Sequence, residues 1–385
     1  MAHDASPDQA PAPGLRSAAL MLAVLAALGA ATLIDMLDGP GDARQERIAA
    51  TPAPPVTPGA LRRFPGAARY YVANRYALKD RFIALNANAK LGLFGHSPTA
   101  RVLQGKDGFL FLGDDAAIDA AQGVTPGAQS SDAAWAAYFA ALGQAFETRG
   151  IPFAFILGPD KNSIYPEALP DWLAATRPAQ ARAARILAQA GETMDPAPVD
   201  TGRLFAEARA HDPGLRLHHH TDTHWTELGA GLAVDAALAP LGLPGFDAPM
   251  QLGIPASGPA GDLARMIGWQ DHLSETPPTL ARPPGLRCET PDGVAATILT
   301  LDPLPVKRFR CTNPDGAALH ALVFMDSFGM GAAPRLTQLF GEVTFVWRDQ
   351  VDLGLVDAIR PDAVIKIMVE RKLQTADPAA MLRLP

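Results

Sequence analysis

The sequence predicts an α/β fold built on a parallel sheet with helices covering both faces. Three runs carry that prediction: "IPFAFIL" (151–157), "LHALVFM" (319–325) and "AVIKIMV" (363–369). Each is apolar almost throughout, which marks a strand buried on both faces rather than one with a wet side. Helical patterns separate the runs, and strands alternating with helices imply parallel pairing through crossovers.

Of the elements in chain order, the first stands apart from the domain. Ser17–Ile34 contains no charged residue, with Arg16 before it and Asp35, Asp38 and Asp42 after it. That length suits a bilayer span, and the charge asymmetry favours a cytoplasmic N-terminus. Residues 1–16 are therefore read as cytoplasmic and 17–36 as a transmembrane signal anchor, with a cleaved signal peptide as the alternative. Residues 37–63 form a linker whose "TPAPPVTP" (51–58) is a semi-rigid spacer. The domain occupies 64–385, opening with an amphipathic helical pattern over 64–95.

"GKDGFLFLG" (105–113) reads as a turn followed by a short strand. Ser131 and Asp132 cap a helix whose apolar positions Trp135, Phe139, Leu142 and Phe146 recur every three to four residues, and Gly150 ends it. Helices are expected near 179–190, 202–210 and after Trp225. Residues 245–318, rich in Pro and Gly, read as a loop-and-hairpin insertion. Its two cysteines, Cys288 and Cys311, flank the apolar "VAATILTLDPLPV" and are expected to pair as a disulfide in an oxidising compartment. Two unpaired buried thiols are the alternative.

A net charge of −7 without any basic block excludes a nucleic-acid partner, which needs a cationic face. Polar groups collect where open parallel sheets bind ligands, beyond the carboxyl ends of the strands. Asp160, Lys161 and Asn162 follow the first run, Asp326 and Ser327 the second, Glu370 and Arg371 the third. Ser327, on a strand-to-helix turn with Gly329 and Gly331, is the candidate nucleophile; a helix-capping serine is the bland reading. "LHHHTDTHW" (217–225) supplies a base, because Asp222 and His224, two apart, can set a carboxylate against Nδ1 and leave Nε2 for the serine. His218, His220, Asp222 and His224 alternate and have ligand types suited to zinc. No spaced metal motif accompanies them, so the site is read as metal-free and the chain as needing no cofactor.

Six stretches, "GKDGFLFLG", "GPDKNSIYPEALP", "TDTHWTELGA", "GDLARMIG", "MDSFGMGAAPRLTQLF" and "VIKIMVERKL", occur in the order seen in the AlgJ/AlgX-type alginate O-acetyltransferases. The chain resembles that family over about residues 60–375. The resemblance implies an SGNH-hydrolase-like three-layer α/β/α domain on a parallel central sheet, held in the periplasm by an inner-membrane anchor and acetylating an exopolysaccharide. It implies Ser327 as nucleophile, His224 as base and Asp222 as orienting acid, with a membrane-bound O-acyltransferase supplying acetyl. Lys161 and Asn162 are expected near the oxyanion or substrate, Arg371 at the substrate or in an ion pair, and Trp225 as a sugar platform or a core brace. Met325 stands where the family usually has glycine, and is expected either to narrow the acyl pocket or to signal lost activity. An esterase on the same triad and a non-catalytic polysaccharide-binding protein remain as rivals.

Overall fold

The computed structural model describes residues 85–93, 97–124, 126–291, 293, 295–296 and 308–384, with residue 66 alone upstream. The expected span 17–36, its flanks, the linker 37–63, most of the pattern over 64–95 and nearly all of the apolar stretch between the cysteines lie outside these residues. Among the described residues no helix is long and apolar enough to cross a membrane. Ala87–Pro385 is one compact unit.

Its principal elements run β1 (Val102–Gln104), β2 (Leu110–Leu112), α1 (Asp115–Gln122), α2 (Asp132–Arg149), β3 (Phe153–Gly158), α3 (Lys161–Ile164), α4 (Arg182–Ala190), α5 (Thr201–His211) and α6 (Glu227–Leu238). Then come β4 (Gly258–Pro259), α7 (Asp262–Met266), β5 (Ser274–Glu275), β6 (Arg287–Glu289), β7 (Ala295–Ala296), β8 (Arg308–Thr312) and β9 (Ala317–Met325). The unit closes with α8 (Gly329–Leu339), β10 (Phe340–Trp347), β11 (Val351–Asp352), α9 (Leu353–Ile359), β12 (Ala363–Val369) and α10 (Lys372–Thr375).

Local chemistry sets several boundaries. The Ser131 hydroxyl accepts the Ala134 N–H at 3.2 Å to start α2, and Gly150 ends it at φ 61°. Between β1 and β2, Asp107 and Gly108 both take positive φ, and the Phe109 N–H closes the turn on the Lys106 carbonyl at 3.0 Å.

The central sheet has seven strands in the order β3-β12-β9-β10-β8-β6-β7. The first four are parallel, whereas β8, β6 and β7 add antiparallel strands at one edge. The expectation of a parallel sheet therefore holds for the core and gives way to a mixed sheet at the edge. The physical reason is in the pattern: β8, with alternating exposed and buried residues, has one wet face and needs no second helical layer. The segment 245–318, expected as an insertion, supplies β6–β8 to this sheet. Cys288 and Cys311 stand opposite each other on β6 and β8 and are joined by a disulfide.

Period-two alternation divides the parallel strands between two cores. Ala154, Ile156, Val323, Met325, Ile365 and Ile367 face a layer containing Phe205 of α5, Val234 of α6 and Leu336 of α8. Phe153, Phe155, Leu157, Leu322, Phe324, Val364 and Met368 face Phe139 of α2, Ile186 of α4 and Val356 of α9. The result is three layers. The crossover from β9 to β10 runs through α8 on one face, and the crossover from β10 to β12 through α9 on the other. The chain leaves β9 into α8 on one face and the neighbouring β12 into α10, whose Leu373 packs on the other, which opens a crevice at their carboxyl ends.

Candidate active site

The segment 217–226 folds back on itself before α6. The Thr226 N–H donates to the Leu217 carbonyl at 2.9 Å, the His219 N–H to the His224 carbonyl at 3.2 Å, and His218 bridges to Trp225. At the tip, one oxygen of Asp222 accepts both the His224 backbone N–H at 3.0 Å and the ring Nδ1–H at 2.6 Å. The aspartate so fixes both the turn and the tautomer, leaving Nε2 as the basic nitrogen. Nε2 is buried and has no hydrogen-bond partner among the described residues. Withdrawal from water disfavours the charged ring, yet the Asp222 carboxylate outweighs it and raises the His224 pKa. Burial likewise raises the Asp222 pKa, but the imidazole beside it prevails and holds the carboxyl far below the ordinary range.

Three side chains remote in sequence hold this turn. Lys161, 2% exposed at the head of α3, donates to the carbonyls of His219 (2.8 Å), His220 (3.0 Å) and Asp222 (2.7 Å). Burial pushes its ammonium down to about 8, against the pull of Asp222, Glu275 and Asp262. Glu275 of β5 accepts the Thr221 N–H at 2.5 Å, the Thr221 hydroxyl and the His220 N–H at 3.1 Å, with His219 Nδ1 at 3.3 Å. Asp262, the first residue of α7, accepts the Thr223 N–H and hydroxyl, both at 2.7 Å. Its own N–H donates to the second oxygen of Asp222 at 2.8 Å. A Cβ on Gly261 would overlap Asp222, so only glycine lets this backbone approach.

Lys161 is thereby corrected from a substrate contact to a brace, because all three of its N–H donors already have carbonyl acceptors. Asn162, also 2% exposed, donates to the Leu112 carbonyl at 3.3 Å instead of facing a ligand. Glu275 and Asp262 escaped the sequence reading. The glycine–aspartate pair of "GDLARMIG" was a visible signal for Asp262, whereas nothing local marks Glu275.

The bonds to Glu275 favour its ionised form. Although burial raises its pKa, the His219 and Thr221 contacts bring it from the ordinary 4.5 down to about 2. A depressed folded-state pKa contributes stability that is complete above pH 4.5 and lost as the pH falls toward 2. The shift corresponds to about 3 kcal/mol. Urea unfolding of wild type and Glu275→Gln at pH 7 and pH 3 checks this: the gap should be about 3 kcal/mol at pH 7 and clearly smaller at pH 3.

The other half of the site lies in the crevice between β9 and β12. The Asp326 carboxylate accepts the Phe328 N–H at 3.0 Å and the Val369 N–H at 2.9 Å, tying the turn after β9 to the end of β12. Lys372 lies 3.2 Å from the same carboxylate. Helix α8 starts at Gly329, and its N-cap is Phe328 without a side-chain bond, so Ser327 is not a capping serine. Ser327 is partly exposed. Its neighbour Phe328 lies with its ring 5.1 Å from that of His224, which places the D-S-F turn beside the D-T-H turn.

Trp225 locks the two turns together. Its indole N–H donates to the Phe328 carbonyl at 2.8 Å, and the side chain is 1% exposed. It is a brace rather than a sugar platform, since a stacking face must be reachable. Gly331 lies close beneath it, where a Cβ would come within 2.7 Å of Nε1. Arg371 pairs with the buried Asp160 and sits 5.6 Å from the Phe328 ring centre, closing the edge between β3 and β12. The Asp160 N–H in turn donates to Glu370 at 2.8 Å, and burial together with Asp160 pushes Glu370 up to about 7. Met325 is wholly buried with its sulfur against Gly329, so its side chain fills core space below the turn.

The histidine run does not converge. His218 is buried with Nε2 2.9 Å from the Pro159 carbonyl, and burial pushes its pKa down to about 3, so it stays neutral. His219 meets Glu275, and His220 packs with its ring tilted against that of Phe109, centroids 4.1 Å apart. The four alternating residues weighed as metal ligands thus part company, because the segment turns instead of extending. Asp222, His224 and Asp262 do bring ligand-type atoms within 4.8 Å of one another. Hydrogen bonds join the three: Asp222 accepts from the His224 ring at 2.6 Å and from the Asp262 N–H at 2.8 Å.

This is an α/β/α domain whose switch-point crevice holds a serine turn beside an aspartate–histidine pair. Residues 102–283 match the family model for the SGNH hydrolase-like domain of acetyltransferase AlgX, as the resemblance drawn from the six motifs implies. The matched span includes Lys161, Asp222, His224, Asp262 and Glu275 and stops short of Ser327. Among solved structures, the chain is similar to PatB1 from Bacillus cereus at 13% identity and a TM-score of 0.49, covering 72% of this chain and 98% of that one. It is also similar to a DHHW family protein from Eubacterium siraeum (15%, TM-score 0.49, 74% and 99% covered). A third is the O-acetyltransferase domain of AlgJ from Pseudomonas putida (19%, TM-score 0.43, 72% and 93% covered). No curated protein matches the chain in sequence.

Proposed function

We propose that the chain is an O-acetyltransferase that moves acetyl groups onto hydroxyls of an exopolysaccharide through an acyl-serine intermediate. The observation that carries this reading is the buried Nε2 of His224, without a hydrogen-bond partner among the described residues, oriented by Asp222 and set beside the Ser327 turn. In the first step the Ser327 Oγ–H gives its proton to Nε2 as Oγ bonds to the donor's acetyl carbon. The bond to the leaving group then breaks, and the leaving group takes the proton. In the second step a sugar hydroxyl loses its proton to Nε2 and bonds to the acetyl carbon. Ser327 departs and recovers a proton. The Ser327 N–H, before the N-terminus of α8, is the oxyanion donor.

Of the four residues expected to contact substrate, Arg371 keeps a partly exposed side chain (19%), beside Phe328, and is assigned to the acceptor. A periplasmic location follows from the anchor read over 17–36, and acetyl is then supplied across the membrane by a membrane-bound O-acyltransferase. The buried position of Met325 favours an active site over a non-catalytic one.

The test incubates the full-length chain with an activated acetyl ester, with and without oligosaccharide acceptors. Acetyl trapped on Ser327 and then found on the glycan is the expected result. Free acetate without acetylated glycan assigns an esterase. No acyl-enzyme and no ester turnover, with glycan binding intact, assigns a binding protein.

A further inference from the structure

We infer that Asp262 is a positioning residue of this site, a second carboxylate that clamps the turn carrying His224 and favours its protonated form. The inference rests on the proposed role of His224 as base. Asp262 is not near the turn by chance of packing, because it engages every residue of D-T-H. Its N–H holds the Asp222 oxygen that His224 does not use, at 2.8 Å. Its two carboxylate oxygens take the N–H and hydroxyl of Thr223, each at 2.7 Å. Its Oδ2 lies 4.0 Å from His224 Nδ1.

The consequence for the ring is specific. Because the Thr223 hydroxyl donates to Asp262, its lone pair is what faces Nδ1, at 3.3 Å. Asp222 and Thr223 therefore both present acceptors to Nδ1, and the proton stays there while Nε2 remains the base. Proton transfer from a nucleophile then creates an imidazolium flanked by two negative charges, which lowers the energy of that charged state. The charged and titratable groups around the ring are Asp222, Asp262, Arg371 from the end of β12, and His218 from the base of the hairpin. His218 is held neutral, Arg371 opposes protonation and the Lys161 ammonium sits on the Asp222 carbonyl, so the charge of Asp262 adds to that of Asp222 against these cations. The AlgX-type match spans Asp262, yet the geometry alone gives it this role: a side chain too distant for a direct bond to the ring acts through Thr223 and through charge.

The experiment follows the His224 ring through pH by NMR in the full-length chain, comparing wild type with Asp262→Asn and Thr223→Val. Asp262→Asn keeps the shape and one acceptor for the Thr223 N–H, replaces the acceptor of the Thr223 hydroxyl by an NH2 donor, and deletes the charge; it should lower the His224 midpoint by about one pH unit. Thr223→Val retains both carboxylates, so its midpoint should stay near that of wild type. The rate of Ser327 sulfonylation by a sulfonyl fluoride, in which fluoride leaves and His224 takes the proton, should fall severalfold in both variants. An unchanged midpoint in Asp262→Asn overturns the inference, as does an unchanged sulfonylation rate in Thr223→Val. If Asp262→Asn does not fold, Thr223→Val alone decides. Failure of wild type to label at Ser327 counts against the serine mechanism instead, and the NMR titration still decides the role of Asp262.

Discussion

Replacing Ser327 by alanine should reduce acetyl transfer by about 10⁴-fold while leaving stability within about 0.5 kcal/mol of wild type. The two halves of that expectation have separate grounds. The turn is held by Asp326, which bonds the N–H groups of Phe328 and Val369, and by the Trp225 indole on the Phe328 carbonyl. None of these contacts uses the serine hydroxyl, so its removal costs the fold little. In the proposed mechanism, however, activity depends on a nucleophile whose loss strands the oriented histidine. Single-turnover kinetics with an acetyl ester, alongside urea unfolding, measures both. A comparable loss of stability would show that the hydroxyl is structural, and retained turnover would remove it from the mechanism.

Lys161→Met should cost about 3 kcal/mol of stability and about 10²-fold in turnover. Methionine matches the length and apolar stem of lysine, so the volume is retained and the change isolates the ammonium. Three carbonyls, of His219, His220 and Asp222, then lose their donor together. Each unsatisfied acceptor costs about 1–3 kcal/mol, offset in part by removal of a buried charge. The turnover loss follows because displacing the Asp222 carbonyl moves the carboxylate that aims His224, and small misplacements of a catalytic group are expensive. Lys161→Arg should not restore the wild-type values, since a planar fork cannot meet three carbonyls arranged about one point. A rise in KM with unchanged kcat would instead return Lys161 to the substrate.

Part of the site was legible because its chemistry is local. Asp222 and His224 are two residues apart, and the bond between them needs only a turn. Ser327 follows a buried strand, and Thr226 before α6 reads as a cap, which it is, accepting the Gly229 N–H at 3.2 Å. The braces were not legible in the same way. Lys161 meets its acceptors across about sixty residues of chain, Glu275 across 54 and Asp262 across 39. A lone lysine after a strand reads equally as ligand contact and as brace, and only its three filled donors separate the two.

By itself, the sequence determined the buried strands and the helices between them, because side-chain periodicity and capping are set by near neighbours. It determined the D-x-H pair and the serine turn for the same reason. The tertiary structure alone decided that antiparallel strands complete the sheet, since strand direction depends on which edge is free to pair. It also decided that Trp225 and Lys161 face inward and that Asp262 joins the histidine, since packing brings together groups that sequence distance keeps apart.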